Sequence, residues 1–331
     1  QIRQIDAKNA FLHGDLNEIV YRKKPAGFMD KANPNHVCLL HKALYGLKQS
    51  PRTWFDKFSN YIIEFGFVCS YKDPSLFIYS HGKNVIMLLL YVDDMLITRN
   101  NSSVMETFLD ELSKQLKMKD LGQMHYFLGI QATFHAKGLF LNQQQYAKDI
   151  LAVAAMSDCN PVATPLPTQL NQIPQHMELF SDPTYFRSLT GKLQYLTLTR
   201  PDIQYSVNYI CQKMHSPSIS DFYLLNRILK IIRGTTKLGI NFTSETDFAV
   251  KAYSDSDWGG CSSTRHSTGG ICTFLGPNLI SWSSLKQNSV SRSSTEAEYR
   301  SLSETATELH WIGSVMRELG IPMKTTPELV W

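Results

Sequence analysis

The stretch Val85-Ile86-Met87-Leu88-Leu89-Leu90-Tyr91-Val92-Asp93-Asp94-Met95-Leu96-Ile97-Thr98 decides how this chain is read. Eight residues of apolar character, two adjacent carboxylates and a second apolar run spell strand, tight turn, strand, with the acids at the bend of a hairpin. Lys83 and Arg99, the nearest cations in sequence, flank the run on either side. Carboxylates seated in an apolar hairpin are costly unless a cation or good hydrogen bonds compensate them. Two readings fit the pair: a divalent metal held between strands, or an exposed Asp-Asp turn, since aspartate is a common turn residue.

The 331 residues, 43% hydrophobic and 19% charged, have the composition of a soluble globular protein with room for two or three domains. A net charge of +4 permits nucleic-acid binding without arguing for it, so such a surface has to be sought in local patches. The six cysteines (Cys38, Cys69, Cys159, Cys211, Cys261 and Cys272) contain no CxxC pair and no tight cluster. That spacing argues against a disulfide framework and a zinc site, and for reduced thiols of an intracellular protein. No apolar run approaches the roughly 20 residues that span a bilayer, and the N-terminus lacks a basic-then-apolar signal pattern. Gln1 falls within a structured pattern and Leu329-Val330-Trp331 is apolar, so a piece of a longer protein is expected.

Outward from the hairpin toward the N-terminus, Ile2 and Ile5 mark a strand that delivers Asp6, and residues 7–12 are compatible with a helix carrying Phe11. An acid at a strand end with an aromatic five residues later can line one side of a pocket. Residues 29–35 are loop-like, and residues 37–47 are an apolar segment. After Tyr45-Gly46-Leu47-Lys48-Gln49-Ser50-Pro51-Arg52, the spacing of Trp54, Phe55, Phe58, Tyr61, Ile62 and Phe65 predicts a helix whose aromatics serve as core. Lys48 and Arg52 at its mouth are either phosphate ligands or solvated side chains.

Toward the C-terminus, residues 102–118 show an amphipathic helical pattern, residues 124–131 and 138–141 a second hairpin, and residues 143–155 another helix. This order suits an α+β domain with helices on one face of an antiparallel sheet. Five prolines between positions 160 and 183 then mark a linker or extended connection. Residues 185–215 are largely helical, with Pro201 able to open a new helix and Thr199 to cap it. In the helix expected over 221–233, Leu225, Ile228, Leu229 and Ile232 point inward, while Arg227, Lys230 and Arg233 form a basic stripe, either a solvated face or a backbone-contact surface for nucleic acid. Residues 248–253 alternate as a strand leading to Asp255, residues 270–275 and 279–283 form a hairpin, and a long helix runs from about 293 to 319. Glu298 there is either a capping-box partner of Thr295 or a carboxylate that meets Asp255 at one metal site.

Seven blocks, QIDAKNAFLHGDL, KALYGLKQSPRTWF, YVDDMLIT, MKDLGQMHYFLGIQ, YFRSLTGKLQYLTLTRPDI, AYSDSDWGGCSSTRHSTGG and ISWSSLKQNSVSRSSTEAEYRSL, stand in one order along the chain. Together they resemble the polymerase and ribonuclease H region of the Pol polyprotein of copia-type LTR retrotransposons, as found widely in plants, and the resemblance covers essentially all 331 residues. Residues from Met87 onward also resemble copia-derived reading frames of plant mitochondrial genomes.

The resemblance implies an RNA-directed DNA polymerase of right-hand architecture: a palm over residues 1–159, a proline-rich linker and helical thumb or connection over 160–245, and a ribonuclease H-like α/β domain over 246–331. Asp6, Asp93 and Asp94 match the catalytic palm aspartates, which would hold two Mg²⁺ ions, with Mn²⁺ as a substitute, for nucleotidyl transfer. Phe11 matches the aromatic that rejects a ribose 2′-hydroxyl, and Tyr45, Gly46, Lys48, Gln49, Pro51 and Arg52 match the loop and helix against the incoming base and template. Asp255 and Glu298 match the first two ribonuclease H metal ligands. The implied partners are an RNA template, a DNA primer, the RNA:DNA hybrid, dNTPs and, in an intact element, other Pol and Gag products, in cytoplasmic virus-like particles or the nucleus and without a membrane. The fingers that precede Asp6 in the family and the later ribonuclease H carboxylates are expected outside these residues. A catalytically silent remnant that binds nucleic acid, through residues such as Arg227, Lys230 and Arg233, is the alternative.

Overall fold

Alternation of buried and less buried side chains over Asn84–Tyr91 and Asp94–Arg99 lets these strands of the N-terminal part offer one apolar face to a helix pair. The computed structural model describes residues 2–29, 31–33, 35–167, 178–244, 247–323 and 325–331. Positions 30, 34 and Pro174 of the expected loop and proline-rich stretch lie outside the described residues, as does the boundary expected at 245/246. Two compact units divide the chain, Gln1–Met124 and His125–Trp331.

In the first unit, β1 (Ile2–Ala7), a short α1 (Ala10–His13), the ribbon of β2 (Asp15–Lys23) and β3 (Val37–Lys42), and α2 (Ser50–Phe65) come first. They are followed by β4 (Phe67–Cys69), β5 (Leu76–His81), β6 (Asn84–Tyr91), β7 (Asp94–Arg99), α3 (Ser102–Gln115) and β8 (Met118–Gln123). Six strands form one antiparallel sheet in the order β4-β5-β6-β7-β1-β8. Ile5, Leu88, Leu90, Met95 and Ile97 line one face of that sheet and pack with Trp54, Phe58 and Ile62 of α2 and Met105, Phe108 and Leu112 of α3. The expected helices on one face of an antiparallel sheet are therefore present, with the aromatics of α2 in the core.

Local expectations shift where pairing overrides propensity. The helix expected to reach 118 stops at Gln115, because Leu116 is extended and residues 118–123 pair with the edge of β1. Of the helix compatible with 7–12, only α1 forms, after Asn9 adopts a left-handed backbone (φ 55°).

The second unit contains β9 (Tyr126–Phe127), β10 (Ile130–His135), β11 (Gly138–Asn142), α4 (Gln144–Val153), α5 (Pro183–Leu196), α6 (Gln204–Cys211), α7 (Ile219–Gly234) and β12 (Gly239–Thr243). It closes with β13 (Val250–Ser256), β14 (Thr268–Leu275), β15 (Asn278–Lys286), α8 (Ser294–Glu318) and β16 (Glu328–Val330). The first strand of the second hairpin is β10, several residues later than the 124–131 expected. Leu225, Ile228, Leu229 and Ile232 of α7 are fully buried, with Leu189 and Leu193 of α5 in the same core. Four strands in the order β15-β14-β13-β16, antiparallel except for the β13–β16 pair, carry α8 on one face, where Val250 and Ala252 meet Leu309, Ile312 and Met316. Pro201 opens a 3-10 turn that runs directly into α6, with Arg200, not Thr199, at the N-cap position and no side-chain cap bond. No helix of the described residues is long and apolar enough to cross a membrane.

Arg200, whose side chain is 2% exposed, grips both carboxylate oxygens of Asp202 at 2.8 and 2.7 Å and donates to the Thr235 carbonyl at 3.0 Å. Asp202→Ala leaves that guanidinium buried without its counter-charge. The expected loss is roughly 2–3 kcal/mol of unfolding free energy, the lower end for breaking a buried pair because Asp202 is itself half-exposed. Denaturant unfolding of the two proteins checks this.

Candidate active site

Backbone pairing brings the N-terminal acids together. β1 and β7 are adjacent antiparallel strands whose register sets Asp6 directly opposite Asp94, and Asp94 opposite Tyr91 of β6. Ile5 and Met95, one residue earlier and one later, pair on the face covered by helices. The period of two therefore turns Asp6 and Asp94 to the other face. Side chains paired this way have Cβ atoms about 5 Å apart. Asp93 lies in the bend, and its carbonyl accepts from the Ala7 amide at 2.8 Å, which ties the hairpin to the residue after Asp6. All three aspartates are half-buried, so the exposed-turn reading does not describe this hairpin.

Burial raises the Asp94 carboxyl above the usual aspartate range; the Gln4 amide, 3.4 Å from Oδ1, opposes the shift, and the charges of Asp93 and Asp6 add to it. None of the three forms an ion pair among the described residues. Nor, among the described residues, do three His, Cys, Asp or Glu side chains converge on a point that would hold a metal.

Phe11 on α1 packs against Tyr45, with ring centroids 4.7 Å apart. Burial raises the Tyr45 phenol, and the charges of Asp93 and Asp6 raise it further, so this ring lies within reach of the acid cluster. Gly46 takes a left-handed backbone (φ 94°) with open space where a side chain would stand. Lys48, Pro51 and Arg52 are exposed at the mouth of α2, Arg52 with an i,i+4 partner in Asp56 at 3.9 Å, while the Gln49 amide reaches Glu18 at 3.4 Å.

In the second unit, Asp255 lines a cleft of about 740 Å³ with Tyr205, Tyr253, Asp257 and Trp282. Glu298 is half-buried on α8 and is not among the residues lining that cleft. One hydrogen-bonded link between their elements is the Ser301 hydroxyl, which donates to the Asp255 carbonyl at 3.0 Å. The capping role considered for Glu298 is a correction: Ser293 caps α8 by accepting from the Glu296 amide, and the Glu296 carboxylate accepts from the Arg292 amide. The same Ser/Thr-x-x-Glu spacing occurs two residues earlier, and it wins. On α7, Arg227 donates to the Thr164 carbonyl and hydroxyl at 3.0 and 2.8 Å, and Arg233 to the Ser157 carbonyl, so these two guanidinium groups bind the chain's own segment after α4. Lys230 is half-exposed.

Two residues beside the acids, Gln4 and Trp54, lie in the quoted blocks with no role at the site implied for either. Gln4 was legible only as a polar residue at i−2 from Asp6, on the same face. Trp54 fits the aromatic core pattern, yet its indole also donates to the Val92 carbonyl at 2.6 Å.

The profile of the family "Reverse transcriptase (RNA-dependent DNA polymerase)" matches residues 1–168, which contain Asp6, Asp93 and Asp94. The chain belongs to the copia-type reverse transcriptase family. It is 46% identical over 326 residues to the retrovirus-related Pol polyprotein from transposon RE1 of Arabidopsis thaliana, covering 98% of this chain and 22% of that protein. It is 36% identical over 335 residues to the corresponding polyprotein from transposon TNT 1-94 of Nicotiana tabacum, covering 98% of this chain and 25% of that one. An uncharacterized mitochondrial protein of Arabidopsis thaliana is 53% identical over 224 residues, 68% of this chain and 93% of its own length. The chain thus spans about a quarter or less of the Pol polyproteins it matches.

The burial of Asp94, with the charges of Asp93 and Asp6 added to it, has a thermodynamic sign. A carboxyl whose folded-state pKa is raised keeps its proton in the folded state at pH values where the unfolded chain has released it. Its contribution therefore favours folding on the acid side and is lost as pH rises through the folded value. Asp94→Asn removes the penalty, so in metal-free buffer at neutral pH it is expected to stabilise the fold by roughly 0.5–2 kcal/mol. The gain shrinks as pH falls through the raised folded value and is gone below the ordinary aspartate range. Thermal unfolding of both proteins across pH measures it.

Proposed function

We propose that this chain is the core of an RNA-directed DNA polymerase, extending a DNA primer 3′-hydroxyl with dNTPs on an RNA template. The observation that carries the reading is the β1–β7 register, which sets Asp6 opposite Asp94 beside Asp93 on the sheet face away from the helices. Membership of the reverse transcriptase family supports it.

Three half-buried carboxylates that make no ion pair among the described residues offer oxygen donors only, the chemistry that suits a hard divalent ion such as Mg²⁺, or Mn²⁺ in its place, once their side chains turn to a common point. Asp6, Asp93 and Asp94 would hold two such ions, which when bound lower the pKa of an attacking hydroxyl and neutralise charge on the triphosphate. The carboxylates set where those charges are held; Gln4 fixes the rotamer of Asp94 by donating to Oδ1. The Phe11 ring, braced by Tyr45, closes the space beside Asp6 and rejects the extra oxygen of a ribonucleotide by bulk. Lys48 and Arg52, exposed at the mouth of α2, offer cationic contacts to phosphates. In this reading residues 1–159 serve as the palm, 160–245 as linker and thumb or connection, and 246–331 as a ribonuclease H-like domain with Asp255 and Glu298 among its ligands. The α8-backed mixed sheet supports that last part.

The test is extension of a labelled DNA primer on an RNA template with Mg²⁺. Asp93→Asn removes a ligand and no packing, so extension should fall at least about a hundredfold with unfolding behaviour retained. Equal extension by the variant would contradict the metal role. Phe11→Ala should shrink discrimination between deoxy- and ribonucleotides, measured as a ratio of kcat/KM values, by roughly tenfold or more. Unchanged discrimination would reduce Phe11 to a packing residue.

A further inference from the structure

The residue that precedes the two hairpin acids is held in a conformation it resists. Val92 adopts φ 56°, in the left-handed region. A β-branched side chain is a poor occupant of that region, because its Cβ crowds the adjacent backbone, and in short hairpin bends the place is normally taken by glycine, asparagine or aspartate. Val92 is also exposed at 37%, so its own burial contributes little to holding it there. A strained backbone persists only where the surroundings over-determine it.

The structure supplies one such restraint. Trp54, 1% exposed on α2 and packed against Phe58, directs its indole N–H at the Val92 carbonyl, 2.6 Å away. The next peptide is tied as well, through the Ala7 amide that donates to the Asp93 carbonyl at 2.8 Å. Successive carbonyls of the bend are thus fixed, one by the helix under the sheet and one by the strand that carries Asp6.

We propose that Trp54 is a positioning residue of the polymerase site: its indole N–H locks Val92 in the left-handed conformation and thereby sets where the Asp93 and Asp94 carboxylates point. This rests on the polymerase reading given above for the function of the acids, but the conformational lock itself does not. The side chain touches neither substrate nor the acids; it acts through the backbone. The proposal explains why a tryptophan, not a phenylalanine, serves here: of these two rings, only the indole has a hydrogen-bond donor to offer.

The two residues should behave as one unit. Trp54→Phe keeps the ring and removes the donor, whereas Val92→Gly lets the bend take the same conformation without strain. In the chain without metal or nucleotide, hydrogen–deuterium exchange read by mass spectrometry is expected to speed up in the peptide spanning the bend, residues 88–97. One lost hydrogen bond corresponds to roughly a fivefold to tenfold change. Adding Val92→Gly to Trp54→Phe should return most of that change, while peptides from α3 and β5 stay as in the parent chain. Unchanged exchange at the bend in Trp54→Phe overturns the proposal. So does faster exchange spread over the whole first unit without relief from Val92→Gly, because that is the behaviour of a core aromatic alone.

Primer extension supplies the second arm. Trp54→Phe should lower kcat by roughly the same factor, with the KM for primer–template unchanged, and the double variant should recover. A loss of kcat that Val92→Gly does not recover counts against the lock. If the parent chain extends no primer, the polymerase reading fails, and the exchange result still decides whether Trp54 locks the bend.

Discussion

The ladder between β1 and β7 holds like charges where they repel. Five pairs from Ile2↔Thr98 to Asp6↔Asp94 fix the register, and slipping β1 by one residue would exchange its buried and exposed faces while β7 stays registered on β6. Ile5 then leaves the core, so the apolar face keeps the acids opposite each other against their mutual repulsion. Hydrophobic burial in one layer thus holds an electrostatically unfavourable arrangement in the next. An acid pair with a raised carboxyl that makes no ion pair among the described residues, although Lys119 of β8 stands opposite Asp6 in register, is a site where a bound positive charge would relieve the repulsion.

The elements around the acids follow from this constraint. α2 fills the other face of the sheet with Trp54, Phe58 and Ile62, and the same helix begins at the loop of Tyr45 and Gly46, which leads toward the acids. One helix therefore supports the sheet from beneath and carries the cationic mouth at its start. Phe11 reaches the site from the short turn after β1, five residues beyond Asp6 and braced by Tyr45. The second unit is built on separate cores, one of α4 to α7 and one between α8 and the sheet of β13 to β16.

Much of this was legible in the sequence, and what was not has local reasons. The apolar run before Asp93 and Asp94 announced β6, because eight residues of one character leave little choice, and the aromatic spacing announced α2. β8 was hidden, since Met118-Lys119-Asp120-Leu121-Gly122-Gln123 has weak strand character and is ordered by the free edge of β1, a partner over a hundred residues away in sequence. The ribbon of β2 and β3 is likewise set by pairing, its side chains largely exposed. In the site, the aspartates stood out as charges in an apolar context. Gln4 and the indole N–H of Trp54 did not, because a polar residue in a strand and a tryptophan on a helix have commoner explanations. From spacing alone the basic stripe of α7 reads as either a solvated face or a backbone-contact surface; its two arginines are instead spent on the carbonyls of Ser157 and Thr164, whose approach no periodicity foretells.

The central claim is that Asp6, Asp93 and Asp94 form one divalent-metal site, and direct ion binding tests it without relying on turnover. Mn²⁺ is titrated into the chain with a dNTP and a chain-terminated DNA primer on an RNA template, and free Mn²⁺ is followed by electron paramagnetic resonance. The parent chain should bind two ions more than the variant carrying Asp6→Asn, Asp93→Asn and Asp94→Asn together. Equal binding by the two proteins would show that the three carboxylates, however closely the strands hold them, are not the site of the metal.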